Sequence, residues 1–189
     1  MTNGHGIETP ANKIATAQAT LGLAFRLSGE VEEGRITTEI FKRGITVHTG
    51  ITVHTGGDGL RLSPFPEGTD QNLKDGIFNI VLNALSASAL TVEETLDEVF
   101  GKASTDTDLT RVGIRVMVNQ LRNAFAHNPW RPKWKIFPQH RNSYPIELDD
   151  GSKFTFDTTS LDGDGFKAEQ VGGLGFWMKL LRHCKGLVG

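Results

Sequence analysis

Apolar side chains recur every three to four residues along five stretches of this chain and alternate with polar ones along a sixth. Thr9 followed by Pro10 reads as an N-cap and first helical position, and Ile14, Ala17, Leu21, Ala24 and Phe25 keep helical spacing until Ser28-Gly29. Asp70 to Ser88 carries Leu73, Ile77, Ile80, Val81, Ala84 and Leu85 on one broad face, which predicts a second helix. Thr91 opens a third, shorter one: Glu94 completes a capping box, Val92, Leu96, Val99 and Phe100 give the apolar face, and Gly101 stops it. The fourth helix spans about Asp108 to His127, with Ile114, Met117, Val118, Leu121 and Phe125 as its main stripe. Val112, Val116, Asn119 and Asn123 fall nearly opposite, so this helix is sandwiched between neighbours or shared with a second chain. Pro129 ends it by disfavouring the helical state for Asn128.

Between the first two helices the pattern is different. Glu30 to Phe65 is rich in Thr, Ile, Val and Gly, which favours short strands or an ordered loop. It contains a tandem hexapeptide, Ile45-Thr46-Val47-His48-Thr49-Gly50 and then Ile51-Thr52-Val53-His54-Thr55-Gly56. Two copies do not make a solenoid, and an even-numbered insertion preserves strand alternation. Near the other end, Ser143 to Leu148, the turn Asp149-Asp150-Gly151 and Ser152 to Asp157 read as a hairpin, followed by an amphipathic helix near Glu169 to Lys185. The fold class is therefore mainly α: one domain over residues 1–189, a helical bundle with a β-rich insert at 30–65 and a hairpin at 143–157.

Composition narrows the classes. One cysteine, Cys184, excludes an internal disulfide framework and any CxxC site, and it reads as a buried apolar position. No apolar run approaches the roughly 20 residues of a membrane span, and Met1 to Glu8 lacks the basic-then-apolar order of a signal peptide. The expectation is a cytoplasmic protein with no membrane partner. The formal charge of -2 conceals an asymmetry: Arg111 to Ile146 has seven basic residues and no acid, leaving 13 basic against 22 acidic elsewhere. That stretch interleaves aromatics as Trp130-Arg131-Pro132-Lys133-Trp134-Lys135-Ile136-Phe137. Cations neutralise phosphates and flat rings stack on unpaired bases, so Trp130, Arg131, Lys133, Trp134, Lys135 and Arg141 are candidate RNA contacts. The alternative is a basic strand whose tryptophans pack the helix end against the hairpin.

No phosphate loop, HExxH helix or GxSxG elbow occurs. Asp162-Gly163-Asp164-Gly165 would place Gly173 where a calcium loop needs a bidentate Glu. His48 and His54 have no accompanying carboxylate or Cys cluster, so neither a metal nor another cofactor is expected. What remains is Leu121-Arg122-Asn123-Ala124-Phe125-Ala126-His127-Asn128-Pro129. With Leu121 at zero on a wheel of about 100° per residue, Arg122 lies near 100°, Asn123 near 200° and His127 near 240°, all off the apolar stripe. These three types can cleave a phosphodiester without metal. Histidine moves a proton to or from ribose oxygens, arginine stabilises the charged phosphorane, and asparagine orients the ring or holds a phosphate oxygen. A symmetric dimer would supply the second histidine. The competing role is capping carbonyls and neutralising the dipole at a helix end.

Arg122-Asn123-Ala124-Phe125-Ala126-His127 resembles the Arg, four-to-six residues, His motif of the HEPN superfamily, on a late helix of a helical core. The likeness covers about residues 70–128 and leaves the insert and the hairpin outside it. It implies a helical bundle that dimerises around a shared cleft and a metal-independent endoribonuclease of toxin–antitoxin or phage-defence systems. Arg122 and His127 would then be catalytic and Asn123 supporting, with RNA, a second copy and an antitoxin protein as partners. Some members of the superfamily are instead non-catalytic RNA-binding or interaction modules.

Overall fold

The first helix begins where the Thr-Pro pair puts it. In the computed structural model, which describes residues 9–42, 45–47, 60–62, 68–126 and 128–189, α1 spans Pro10–Glu32 and the Thr9 side chain accepts from the Asn12 backbone N–H at 3.3 Å. It continues past the expected stop. Gly29 stays inside the helix, which closes when the Glu33 N–H returns to the Gly29 carbonyl at 2.9 Å. A short α2 (Glu39–Lys42) and two strands, β1 (Ile45–Val47) and β2 (Leu60–Leu62), follow; the strands pair antiparallel with Ile45 opposite Leu62. Part of the insert is thus β, as its composition predicts. The rest of the tandem repeat, including His48 and His54, lies outside the described residues.

The second and third helices of the sequence reading are one. α3 runs unbroken over Asp70–Phe100. Thr91 does not cap anything: its hydroxyl donates to the Ala87 carbonyl at 2.9 Å, Ser88 does the same to Leu85 at 2.7 Å, and Thr95 to Thr91 at 2.6 Å. Back-bonding of this kind satisfies a hydroxyl inside a helix, so the Thr-x-x-Glu pattern here carries no helix start. The uninterrupted length also changes the membrane reading. α3 is long and apolar enough to cross a bilayer by length and composition, with a mean hydropathy of 1.3 over its most apolar window, one third of it buried. Asn, Ser and Thr punctuate that run and hide it from a search for unbroken apolar residues. In the bundle α3 packs against α1, α5 (Gly173–Leu187) and α4 (Leu109–Ala126).

α4 is capped by Asp108, whose side chain accepts from the Thr110 N–H at 3.0 Å. Ile114, Met117, Val118 and Leu121 are fully buried and join Leu21, Leu85, Leu96, Trp134, Phe156 and Trp177 in one apolar cluster. The hairpin forms as expected: β3 (Ser143–Glu147) pairs β4 (Lys153–Asp157) with Ile146 opposite Phe154, and Ile146 and Phe156 point into the core. It lies on α4 so closely that a Cβ at Gly113 would stand 2.8 Å from the Pro145 carbonyl oxygen and 3.1 Å from the Ile146 side chain. Gly113→Ala is expected to lower stability by about 1–3 kcal/mol, because backbone must move. Gly76→Ala meets open space in the second turn of α3 and should raise it by up to about 1 kcal/mol. Thermal melts of the two variants check both signs.

The last helix differs from the expectation in its start. Ala168–Val171 is a separate 3-10 turn, and Gly172, at φ 82°, and Gly173, the first residue of α5 at φ 78°, separate that turn from the rest of α5. Trp177 on α5 donates its indole N–H to Ser88 at 3.0 Å, and Cys184 is fully buried, its thiol pushed up to about 12 chiefly by that burial.

Candidate functional site

The acid-free stretch is not acid-free in space. Arg111 holds Asp106 at 3.0 Å and Asp108 at 2.9 Å; buried Arg115 holds Asp106 at 2.8 Å and also pairs with Asp97 and the Gly101 carbonyl. Arg141 pairs with Asp162 at 2.7 Å. Arg122 is bound by Glu93 of α3, its Nε donating to Oε2 at 2.7 Å and its Nη2 to Oε1 at 3.2 Å. Most of the excess charge therefore ties α4 and its flanks to acids from other segments. The unpaired remainder is Arg131, Lys133 and Lys135, which carry no ion pair among the described residues.

Glu93 organises the edge of α4 on which the candidate residues sit. Asn119 donates to Glu93 Oε1 at 2.6 Å, and Asn119 Oδ1 in turn accepts from Asn123 at 3.1 Å and from Gln120 at 3.2 Å. Arg122 and Asn123 are thereby joined through one carboxylate and one amide. The pairing uses one edge of the guanidinium. Arg122 remains 39% exposed, with its Nη1 amine uncommitted among the described residues, so a phosphate oxygen could approach the open edge. Hydrogen bonding to Glu93, with the added fields of Glu93, Glu94 and Asp97, raises the Arg122 pKa, so the group is permanently charged. His127, four residues after Asn123 in the sequence, lies outside the described residues.

The helix-capping alternative fails for Arg122, whose side chain turns to α3 instead of to the carbonyls of its own last turn. One of those carbonyls has another partner: Lys133 N–H donates to Ala124 at 3.3 Å. Beyond the helix, Asn128 Oδ1 accepts from the N–H groups of Trp130 and Arg131, both at 3.1 Å, and turns the chain back along it.

The two tryptophans have opposite fates. Trp134 is 2% exposed; it packs against Phe156 and Phe166 and donates its indole N–H to Gln170 at 2.8 Å. A ring so enclosed offers no face to a base, so the stacking expected of Trp134 is corrected to packing. Trp130 is 59% exposed and the packing alternative does not describe it. Arg141, engaged with Asp162, is likewise a weaker candidate than Arg131, Lys133 and Lys135.

Sequence reasoning missed Glu93 and Asn119. Glu93 follows Val92 at the edge of a buried stripe, a place from which a carboxylate reaches the polar rim of the neighbouring helix, but Glu94 drew attention as a capping residue. Among the described residues no three His, Cys, Asp or Glu side chains gather as metal ligands would. Compared with family models, with curated proteins and with solved structures, the chain matches none.

Proposed function

We infer that this protein is a metal-independent endoribonuclease of the HEPN type. The observation that carries the reading is the Glu93-centred network, which holds Arg122 and Asn123 together at the end of α4 while leaving one edge of the guanidinium open. His127 follows Asn123 by four residues in the sequence, the spacing that helical periodicity sets on one face. In this reading His127 moves the proton of the attacking 2′-hydroxyl or the leaving 5′-oxygen. Arg122 meets the developing phosphorane charge, and Asn123, whose Oδ1 accepts nothing from the described residues, orients the imidazole.

One histidine serves one proton transfer, so the chemistry favours two protomers. Half-buried Val112, Val116, Asn119 and Asn123, with Leu109 84% exposed, share one stripe of α4 between the α3 side and the hairpin side. Its apolar half would seat a second copy and its polar half would line the shared cleft. A cytoplasmic setting, a defence or toxin–antitoxin role and an antitoxin partner belong to the same proposal.

A second reading, a non-catalytic HEPN module that binds RNA or protein, is favoured by one observation: the Arg122–Glu93 pair already satisfies much of the arginine. Incubating purified protein with RNA in EDTA decides between them. Cleavage leaving 2′,3′-cyclic phosphate ends is expected; strict metal dependence, or no cleavage, would leave the binding module.

A further inference from the structure

We propose that residues 130–137 form a rigid track for one unpaired strand, on which Arg131, Lys133 and Lys135 hold successive phosphates and lead the chain to the end of α4. The proposal rests on the ribonuclease reading and names the form of its substrate: single-stranded RNA.

The track is built by alternation. Pro132, Trp134 and Ile136 are buried, while Arg131, Lys133, Lys135 and Phe137 are exposed. In extended backbone, side chains two residues apart share a side at a repeat of about 6.4–6.8 Å. Lys133 and Lys135 at that repeat, with Arg131 at the bend before them, suit the phosphates of an extended strand, whereas a duplex backbone winds away from such a line. The rail beneath is fixed. Trp134 N–H donates to the Asp164 carbonyl, Gly163 N–H to the Trp134 carbonyl and Phe166 N–H to the Pro132 carbonyl, each at 2.9 Å, and Ile136 N–H donates to the Asp162 side chain at 3.0 Å. Cations on a preordered backbone lose less freedom on binding than those on a mobile loop.

Nearby acids leave the ladder largely uncompensated. Asp162 is engaged by Ile136 and Arg141, and neither Asp164 nor Glu169, both exposed, pairs with Arg131, Lys133 or Lys135 among the described residues. Exposed aromatics stand at both ends: Trp130 before Arg131, and Phe137, 46% exposed with Lys135 Nζ 5.5 Å from its ring centre. Backbone-tracking charge with flanking stacking platforms is how unpaired strands are held without sequence preference. The Lys133–Ala124 hydrogen bond staples the ladder to the helix turn that carries Arg122 and Asn123.

Fluorescence anisotropy with labelled oligouridylate tests the track, using Arg122→Ala protein so that the probe is not cut. Three phosphate contacts on a single strand give a slope of log K against log salt of about −2, or roughly twentyfold weaker binding between 50 and 200 mM. Adding Lys133→Gln and Lys135→Gln should reduce the slope to about −0.7, and Trp130→Ala should weaken binding about tenfold. Arg141→Gln, whose charge is already paired, should change neither. An unaltered slope in the double lysine variant, an Arg141→Gln effect as large as that of Lys133→Gln, or tighter binding of a duplex or of polyglutamate than of oligouridylate would overturn the proposal. In the cleaving protein the two lysine changes should raise KM for the same oligonucleotide and preserve kcat; an unchanged KM overturns the track while leaving the nuclease standing. A full slope in a protein that never cuts does the reverse.

Discussion

His127→Ala is expected to lower RNA cleavage by about 10²–10⁴-fold, the range for removing a general acid or base. Arg122→Ala should cost about 10²–10³-fold through loss of charge stabilisation at the phosphorane. Because both serve one transition state, the double variant should be scarcely worse than the weaker single one. Arg122→Ala also removes the Glu93 pair, so folding needs a control. The pair is partly exposed, and its loss should cost no more than about 1 kcal/mol. Arg122→Lys separates the roles further: it can keep an ion pair with Glu93 but loses the planar fork. A structural tie would tolerate that change, whereas catalysis would fall close to the alanine level. Initial rates in EDTA, beside melts and sedimentation of each variant, give the answer. Near-normal rates in His127→Ala and Arg122→Lys would end the nuclease reading.

What was legible in the sequence rests on local chemistry. The Thr9-Pro10 start, the Asp149-Asp150-Gly151 turn and the Pro129 stop each involve neighbours a few residues apart, and each stands where it was expected. The illegible part is pairing at a distance. Arg122 and Glu93 are 29 residues apart, and Arg115 and Asp97 are 18 apart, so a stretch without acids on paper can be neutral in space. Thr91-Val92-Glu93-Glu94 shows a second limit: a capping pattern describes a helix start only if the backbone stops there, and tertiary packing on α1 and α4 carries the helix through. The alternation in Arg131 to Phe137 was present in the sequence, and period two would have set Trp134 with Ile136 and apart from Lys133 and Lys135. Composition alone treated the whole segment as one basic, aromatic patch.

Asp106→Asn and Arg115→Met should each destabilise the fold by about 3–5 kcal/mol, since removing one partner leaves the other's charge buried; for a chain of this size that is a fall in Tm on the order of 10 °C. The side chains are 1% and 3% exposed, and Asp106 also receives Arg111 and the Asp108 N–H. Hydrogen bonds from Arg111 foremost, then Arg115 and the Asp108 amide, hold the Asp106 carboxyl well below the usual carboxylate range. A carboxyl depressed on folding contributes stability that is fully present above its unfolded value of about 3.9 and is lost as pH falls below it. Urea melts of the wild type should therefore show falling stability below about pH 4, and Asp106→Asn should remove that component while lowering the neutral plateau. Replacing both partners with apolar side chains should recover much of the single-variant loss, because no charge is then stranded. The consequence for function follows from position. Asp97 lies one turn beyond Glu93 on α3, and Arg115 lies two turns before Arg122 on α4, so this clamp sets the crossing at which Glu93 meets Arg122. Any cleavage by Arg115→Met should fall in the folded fraction too, with wild-type KM for short substrates, and a full kcat there would show that the Glu93 contact is set elsewhere.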